Sequence, residues 1–218
     1  MKNVSKNNNI SDLIQKPKMT KRQLQALETK NKIYNAAIAI INEKGFNNIS
    51  IEDITTYANV AKGSFYTYFE SKEALVFYTF KQSDEVYEKA FQKVKDKDFL
   101  SRIVHFIKIS YKEYEKRGKG IIKAMVSNYF TFPDYNFYSK DRDLLKCLNK
   151  LIEQGKEQAV LDEDIPTYKY VNLILSTLVG VEVMWCIDDQ GSSLSDMIAE
   201  AVHVTAMGML KVQANPAL

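Results

Sequence analysis

The stretch that most limits what this chain can become runs from Ile51 to Leu75, IEDITTYANVAKGSFYTYFESKEAL, where two short helical patterns meet at a tight turn. In the first, Ile51, Ile54 and Ala58 recur at i, i+3, i+7 and share one helical face. Ser50 stands before them with Asp53 three positions on, a capping box made weaker by Asp in place of Glu. Asn59 tolerates the left-handed backbone of a sharp turn, and Val60 plugs the angle between the helices. The second pattern, Ala61 to Phe69, buries Phe65 and Phe69 and leaves Lys62, Ser64, Tyr66 and Thr67 more exposed. One helix braces while the other offers donors and a cation to a groove, so the pattern predicts a helix-turn-helix.

The run Ala58-Asn59-Val60-Ala61-Lys62-Gly63-Ser64-Phe65-Tyr66-Thr67-Tyr68-Phe69, followed by Ser71-Lys72-Glu73-Ala74-Leu75, resembles the signature of TetR-family transcriptional regulators, roughly A-G-V-S-K-G-T-F-Y-x-Y-F-x-S-K-E-x-L, with no gap. Asn59 stands where the family often has Gly, a mild change because Asn also accepts positive φ. Ala61 stands where it often has Ser, which removes a helix cap worth roughly 1 kcal/mol. Carried over residue by residue, the resemblance puts Lys62, Gly63, Ser64, Tyr66, Tyr68 and Lys72 at positions that commonly meet DNA. For Tyr68, core packing stands as an equal reading. The resemblance also implies that the helix beginning near Ser71 links a ligand pocket to the DNA-binding unit.

The rest of the composition agrees with an all-α chain. There are only four Pro and eight Gly in 218 residues, 45% of residues are hydrophobic, and the apolar positions fall at helical spacing. No uninterrupted apolar run of about 18 residues is present and the N-terminus MKNVSKNNNISDL has no apolar core, so neither a membrane span nor export is expected, and the expected location is the cytoplasm. Cys147 and Cys186 lie far apart, outside any C-x-x-C pattern, and read as reduced thiols. His105 and His203 are isolated, which disfavours zinc; His105, inside an apolar run, reads as a core histidine. No metal or cofactor is expected. Residues 1 to 75 carry eleven Lys/Arg against seven Asp/Glu, or +4, within a total of +3, so the excess basic charge sits at the helix-turn-helix end.

In order along the chain, residues 1–20 are polar, Asn-rich and basic, and read as a flexible arm: either a plain tail or one that reaches a minor groove through Lys16, Lys18, Lys21 and Arg22. Residues 21–70 form the three-helix DNA-binding domain, its first helix running from about Thr20 to Lys44 and stopped by Gly45. Residues 71–218 form a larger helical ligand-binding and dimerisation domain, with helices near Ser71 to Val94, Phe99 to Lys116, Gly120 to Phe130, Asp141 to Gln158, Thr167 to Asp188 and Leu194 to Val212. The helix from Thr167 is apolar nearly all round, which calls for a partner surface, and Ser176, Gly180, Ala201, Thr205 and Gly208 mark close crossings in a four-helix homodimer interface.

The function expected is that of a ligand-responsive regulator. Lys62 reads guanine, Gly63 admits close backbone approach, and Ser64 or the Thr67 methyl reads further bases, while Tyr66 and Lys72, with Ser50 capping the first helix of the motif, hold phosphates. Two copies fit a roughly palindromic double-stranded operator. Phe106, Met125, Tyr129, Phe132 and Phe137 suggest a small apolar or aromatic effector, the loop from Tyr129 to Tyr138 either closing the core or lining a cavity. Glu182 interrupts the apolar helix and has three readings: counter-ion for a cationic ligand, a hydrogen bond at the dimer interface, or a solvent-facing edge. With no phosphate loop, metal-spaced cluster or nucleophile paired with His, the chain does not read as an enzyme. The alternative is a lipid- or small-molecule-binding carrier with a non-functional DNA-binding domain.

Overall fold

The structure is a computed structural model that describes residues 19–95, 97–129, 139–188 and 190–211, with side chains described in all of these except residues 80–85. Among the described residues the chain is helical: α1 Lys21–Lys44, a 3-10 turn Phe46–Asn48, α2 Ile51–Tyr57, α3 Lys62–Tyr68, α4 Lys72–Gln92, α5 Phe99–Glu115, α6 Lys119–Ser127, α7 Asp143–Glu157, α8 Thr167–Ile187 and α9 Leu194–Met209.

Local chemistry sets the ends of these helices. Thr20 opens α1 with a capping box, its hydroxyl accepting the Gln23 N–H while the Gln23 side chain accepts the Thr20 N–H. Gly45 closes it at φ +80°, a backbone that only glycine adopts without strain. Asn59 takes φ +50° in the turn between α2 and α3. Ser71 caps α4 by accepting the Ala74 N–H. Ala61 gives α3 no side-chain cap, and the helix is held instead by Phe65 and Phe69, both buried.

One apolar core runs through the molecule. Ile33, Ala37, Ile40 and Ile41 of α1 join Ile54, Phe65 and Phe69, and continue through Leu75 and Val76 to Phe106, Ile121, Met125, Leu148, Ile174 and Ile198. The α1–α3 unit meets the remainder where α1 packs on α6, and α4 runs on to α5, α6 and α7. A unit this small gains from such shared burial. The carboxylate of Glu115, at the end of α5, accepts the N–H groups of Leu194 and Ser195 and so neutralises the exposed donors at the start of α9.

One expectation changes. His105 is exposed and its Nδ1 lies 2.7 Å from the Ser101 carbonyl, so it is not a core histidine; it falls on the outward stripe of α5, whereas Phe106 and Ile107 turn inward. Among the described helices α8 has the length and apolar composition of a membrane span, a test that core helices also meet. It packs on α6, α7 and α9, with Ile174, Leu178, Glu182 and Trp185 turned inward.

Candidate nucleic-acid interface and interior site

Lys62, Gly63, Tyr66 and Thr67 are exposed together on α3, at the i, i+1, i+4, i+5 positions opposite Phe65. Ser64 and Tyr68 are half-buried, and Tyr68 packs against the core. A Cβ on Gly63 would meet no atom within 4 Å, so this point of the helix is open to a large partner. The Lys62 ammonium stands 3.8 Å from Glu52 of α2, a solvent-exposed pair that a phosphate or base edge can outcompete. The Thr67 hydroxyl donates to the Gly63 carbonyl within the helix.

Lys72 and Ser50 both make contacts within the chain. The Lys72 ammonium donates to the carbonyls of Phe46 and Ile49 at 3.1 and 3.0 Å and sits 4.5 Å from the centre of the Phe46 ring. It ties the first turn of α4 to the bend before α2, with two of its three donors committed. The Ser50 N–H and O–H both go to the Asp53 carboxylate, which completes the capping box and uses both donors Ser50 possesses. These hydrogen bonds also hold the Asp53 carboxyl below its ordinary range.

Inside the bundle, Glu182 is 4% exposed, which removes the dimer-interface and solvent-edge readings. One carboxylate oxygen accepts the Tyr111 hydroxyl at 2.7 Å, and the other accepts that of Tyr129. Burial pushes this carboxyl above its ordinary value; the Tyr129 and Tyr111 hydroxyls and the charge of Arg142 pull it back only in part. Burial, then the Glu182 charge, raises the phenols of Tyr111, Tyr114 and Tyr129 well above theirs. Phe106 and Met125 line the same interior and are fully buried, the Tyr114 hydroxyl lying 3.4 Å from the Met125 sulfur. Phe132 and Phe137 lie outside the described residues.

A second set of contacts joins α1 to the α5–α6 junction. The Asn42 side chain donates to the Arg117 carbonyl at 2.7 Å and accepts the Ile121 N–H at 3.2 Å. Gly118 and Gly120 make room for it, since a Cβ on either would come within 2.8 Å of Asn42 atoms. The Arg117 guanidinium donates to the Tyr34 hydroxyl at 2.8 Å, which donates in turn to Thr79 of α4 at 3.2 Å.

Residues 33–79 match the family model described as bacterial regulatory proteins, tetR family. The match covers the later part of α1, then α2, α3 and the start of α4, and over that segment the chain is similar to TetR-family regulators. Over 45 residues it is 53% identical to the uncharacterized HTH-type transcriptional regulator YvdT of Bacillus subtilis, a match spanning 21% of this chain and 23% of that relative. Two solved structures share the fold over most of their length. One is the Thermus thermophilus FadR, a TetR-family repressor in complex with lauroyl-CoA (20% identity, TM-score 0.62, covering 87% of this chain and 98% of that one). The other is SmeT, repressor of the Stenotrophomonas maltophilia multidrug efflux pump SmeDEF (17% identity, TM-score 0.62, covering 84% and 91%).

The outer face of α8 and α9 exposes Leu173, Ser176, Val179, Gly180, Val183, Met184 and Ile187 at helical spacing, together with Val204, Met207 and Gly208. Ala201 and Thr205 are half-buried, and the Thr205 hydroxyl meets Thr177 at 3.0 Å, an intrachain tie between α8 and α9. Sequence reasoning missed Asn42, Tyr34 and Arg117. The Arg-Gly-Lys-Gly run at 117–120 was the one available signal of a close approach there.

Proposed function

We propose that the protein is a ligand-responsive, sequence-specific transcriptional repressor that binds a palindromic operator as a homodimer and leaves it when a small apolar or aromatic effector enters the helical domain. The observation that carries this reading is the exposed face of α3. Lys62, Gly63, Tyr66 and Thr67 stand clear of the core on a helix anchored by buried Phe65. A cation, a phenol and a gap without a side chain are what a major groove and its flanking phosphates accept. The apolar stripe on α8 and α9 supports pairing of two copies, which places two such faces on one duplex.

Residues 21–70 then act as the reader and residues 71–218 as the sensor and dimerisation unit. Among structural relatives one is in complex with lauroyl-CoA and another represses a multidrug efflux pump, which supports control by a small molecule. Nothing in this division assigns catalysis. Effector binding acts by favouring a state in which α4 and α6 shift against α1, and only a difference in affinity between the two states can drive it; reversing a 99:1 population takes about 5.5 kcal/mol.

The test is a gel-shift with DNA flanking the protein's own coding region, run at low salt where phosphate contacts are strongest. A retarded, competitor-resistant band is expected. Failure to retard any flanking fragment at 50 mM salt overturns the reading.

A further inference from the structure

We infer that Glu182 is the recognition point for an effector bearing a compact organic cation, an ammonium that sits among aromatic rings and takes the place of the Tyr129 hydroxyl on the carboxylate. The inference deepens the proposed function and rests on it only for what binding does to DNA.

A carboxylate 4% exposed on an otherwise apolar helix is costly to bury, and replacing such a group by an apolar side chain is often neutral or stabilising. Core packing alone therefore does not account for it. Its two oxygens accept one phenol each, from α5 and from the residue two positions beyond the end of α6, while a carboxylate has about four acceptor positions. Capacity for a further donor remains on both oxygens.

The surroundings fit a cation better than a polar neutral group. Tyr87, Tyr111, Tyr114 and Tyr129 all lie within electrostatic reach of one another or of Glu182, and Phe106 packs against Tyr87 at 6.3 Å between ring centres. Several aromatic rings and one carboxylate are the elements that hold ammonium groups elsewhere. The positive charge nearest in effect, Arg142, is the weakest of the influences on Glu182, after burial and both phenols. An effector with an anionic head would meet like charge here, so this chain's effector differs in class from the lauroyl-CoA held by its structural relative.

The geometry also supplies a consequence. Tyr129 follows α6, whose opposite end receives Asn42 of α1. An ammonium that takes the Tyr129 hydroxyl's place on Glu182 removes one tie beyond the end of a helix whose other end touches the DNA-binding unit.

The test uses the full chain and isothermal titration with benzyltrimethylammonium, tetramethylammonium, benzyl alcohol and benzoate. At least one of the two cations should bind, and at least ten-fold more tightly than benzyl alcohol, with no heat from benzoate. Glu182→Gln should weaken cation binding at least ten-fold, and Tyr129→Phe, which removes the competing hydroxyl, should leave it equal or tighter. Equal binding to wild type and Glu182→Gln overturns the inference, as does silence from both cations. Should Glu182→Gln lack a cooperative melt, the ranking of cation over alcohol and benzoate on the wild type decides alone. A gel-shift in parallel separates the two readings. DNA binding without cation binding sinks this inference and spares the regulator, whereas cation binding to a protein that retards no DNA does the reverse.

Discussion

The amide of Asn42 spans α1 and the α5–α6 junction, donating to the Arg117 carbonyl at 2.7 Å while its oxygen accepts the Ile121 N–H. Gly120 stands so close that a Cβ there would lie 2.7 Å from the Asn42 Cα and 2.8 Å from the Ile41 carbonyl oxygen. Both obstacles are backbone. Gly120→Ala should therefore cost about 1–3 kcal/mol in urea unfolding, and Asn42→Ala should not rescue it. If the double variant regains wild-type stability, the helices are not in contact as described.

Lys72 and Lys62 should separate cleanly. Lys72→Met removes two charge-assisted bonds to carbonyls, worth about 1.5–3 kcal/mol each at most, so its effect belongs in the melting temperature. Lys62→Ala leaves the melt within about 0.5 kcal/mol, but should lower the salt slope of DNA binding by about 1 if it meets phosphate, or relax sequence discrimination if it meets a base. A Lys72→Met protein that melts like wild type contradicts the tie between α4 and the bend before α2.

Gly63→Ala offers a substitution whose two effects have opposite signs. The added methyl meets no protein atom, and Ala gains roughly 0.5–1 kcal/mol over Gly inside a helix. The variant should melt at a higher temperature and bind operator DNA more weakly, because the methyl occupies the space a groove or phosphate would use. Unchanged DNA affinity would show that α3 approaches DNA by another edge.

Glu182 predicts a pH signature. Its folded-state carboxyl lies above the ordinary value near 4.5, raised first by burial, so the folded state binds a proton more tightly than the unfolded state. Such a group favours folding at low pH and loses that contribution as pH rises from the unfolded value through the folded one. The neighbouring phenols of Tyr111 and Tyr129 stay protonated across this range, and Arg142 stays charged. Melting temperatures of wild type and Glu182→Gln between pH 4 and 8 should diverge in favour of the variant as pH increases. Divergence in favour of wild type would mean the carboxylate is stabilised, not strained, by its site.

Much of the fold was readable because its signals are local. The cap at Ser50, the left-handed turn at Asn59 and the stop at Gly45 are written in adjacent residues, and each stands where the spacing puts it. The inward turn of Glu182 was not readable, because a helix apolar nearly all round gives no phase from which to tell its faces apart. The intrachain role of Lys72 was hidden for a related reason. A lysine beside a DNA-reading helix looks like a phosphate contact unless one knows that the carbonyls of Phe46 and Ile49, more than twenty residues earlier, are folded against it. Asn42 and Arg117 pair across 75 positions, a separation at which no periodicity survives.

If the apolar stripe along α8 pairs two copies as proposed, gene control becomes a matter of protein abundance as well as of ligand. When two chains must meet before both grooves can be read, the competent species at low copy number rises with the square of chain concentration. A cell that halves its supply of this protein would then lose about three quarters of its assembled readers, and the regulated genes would respond to dilution during growth even with no effector present.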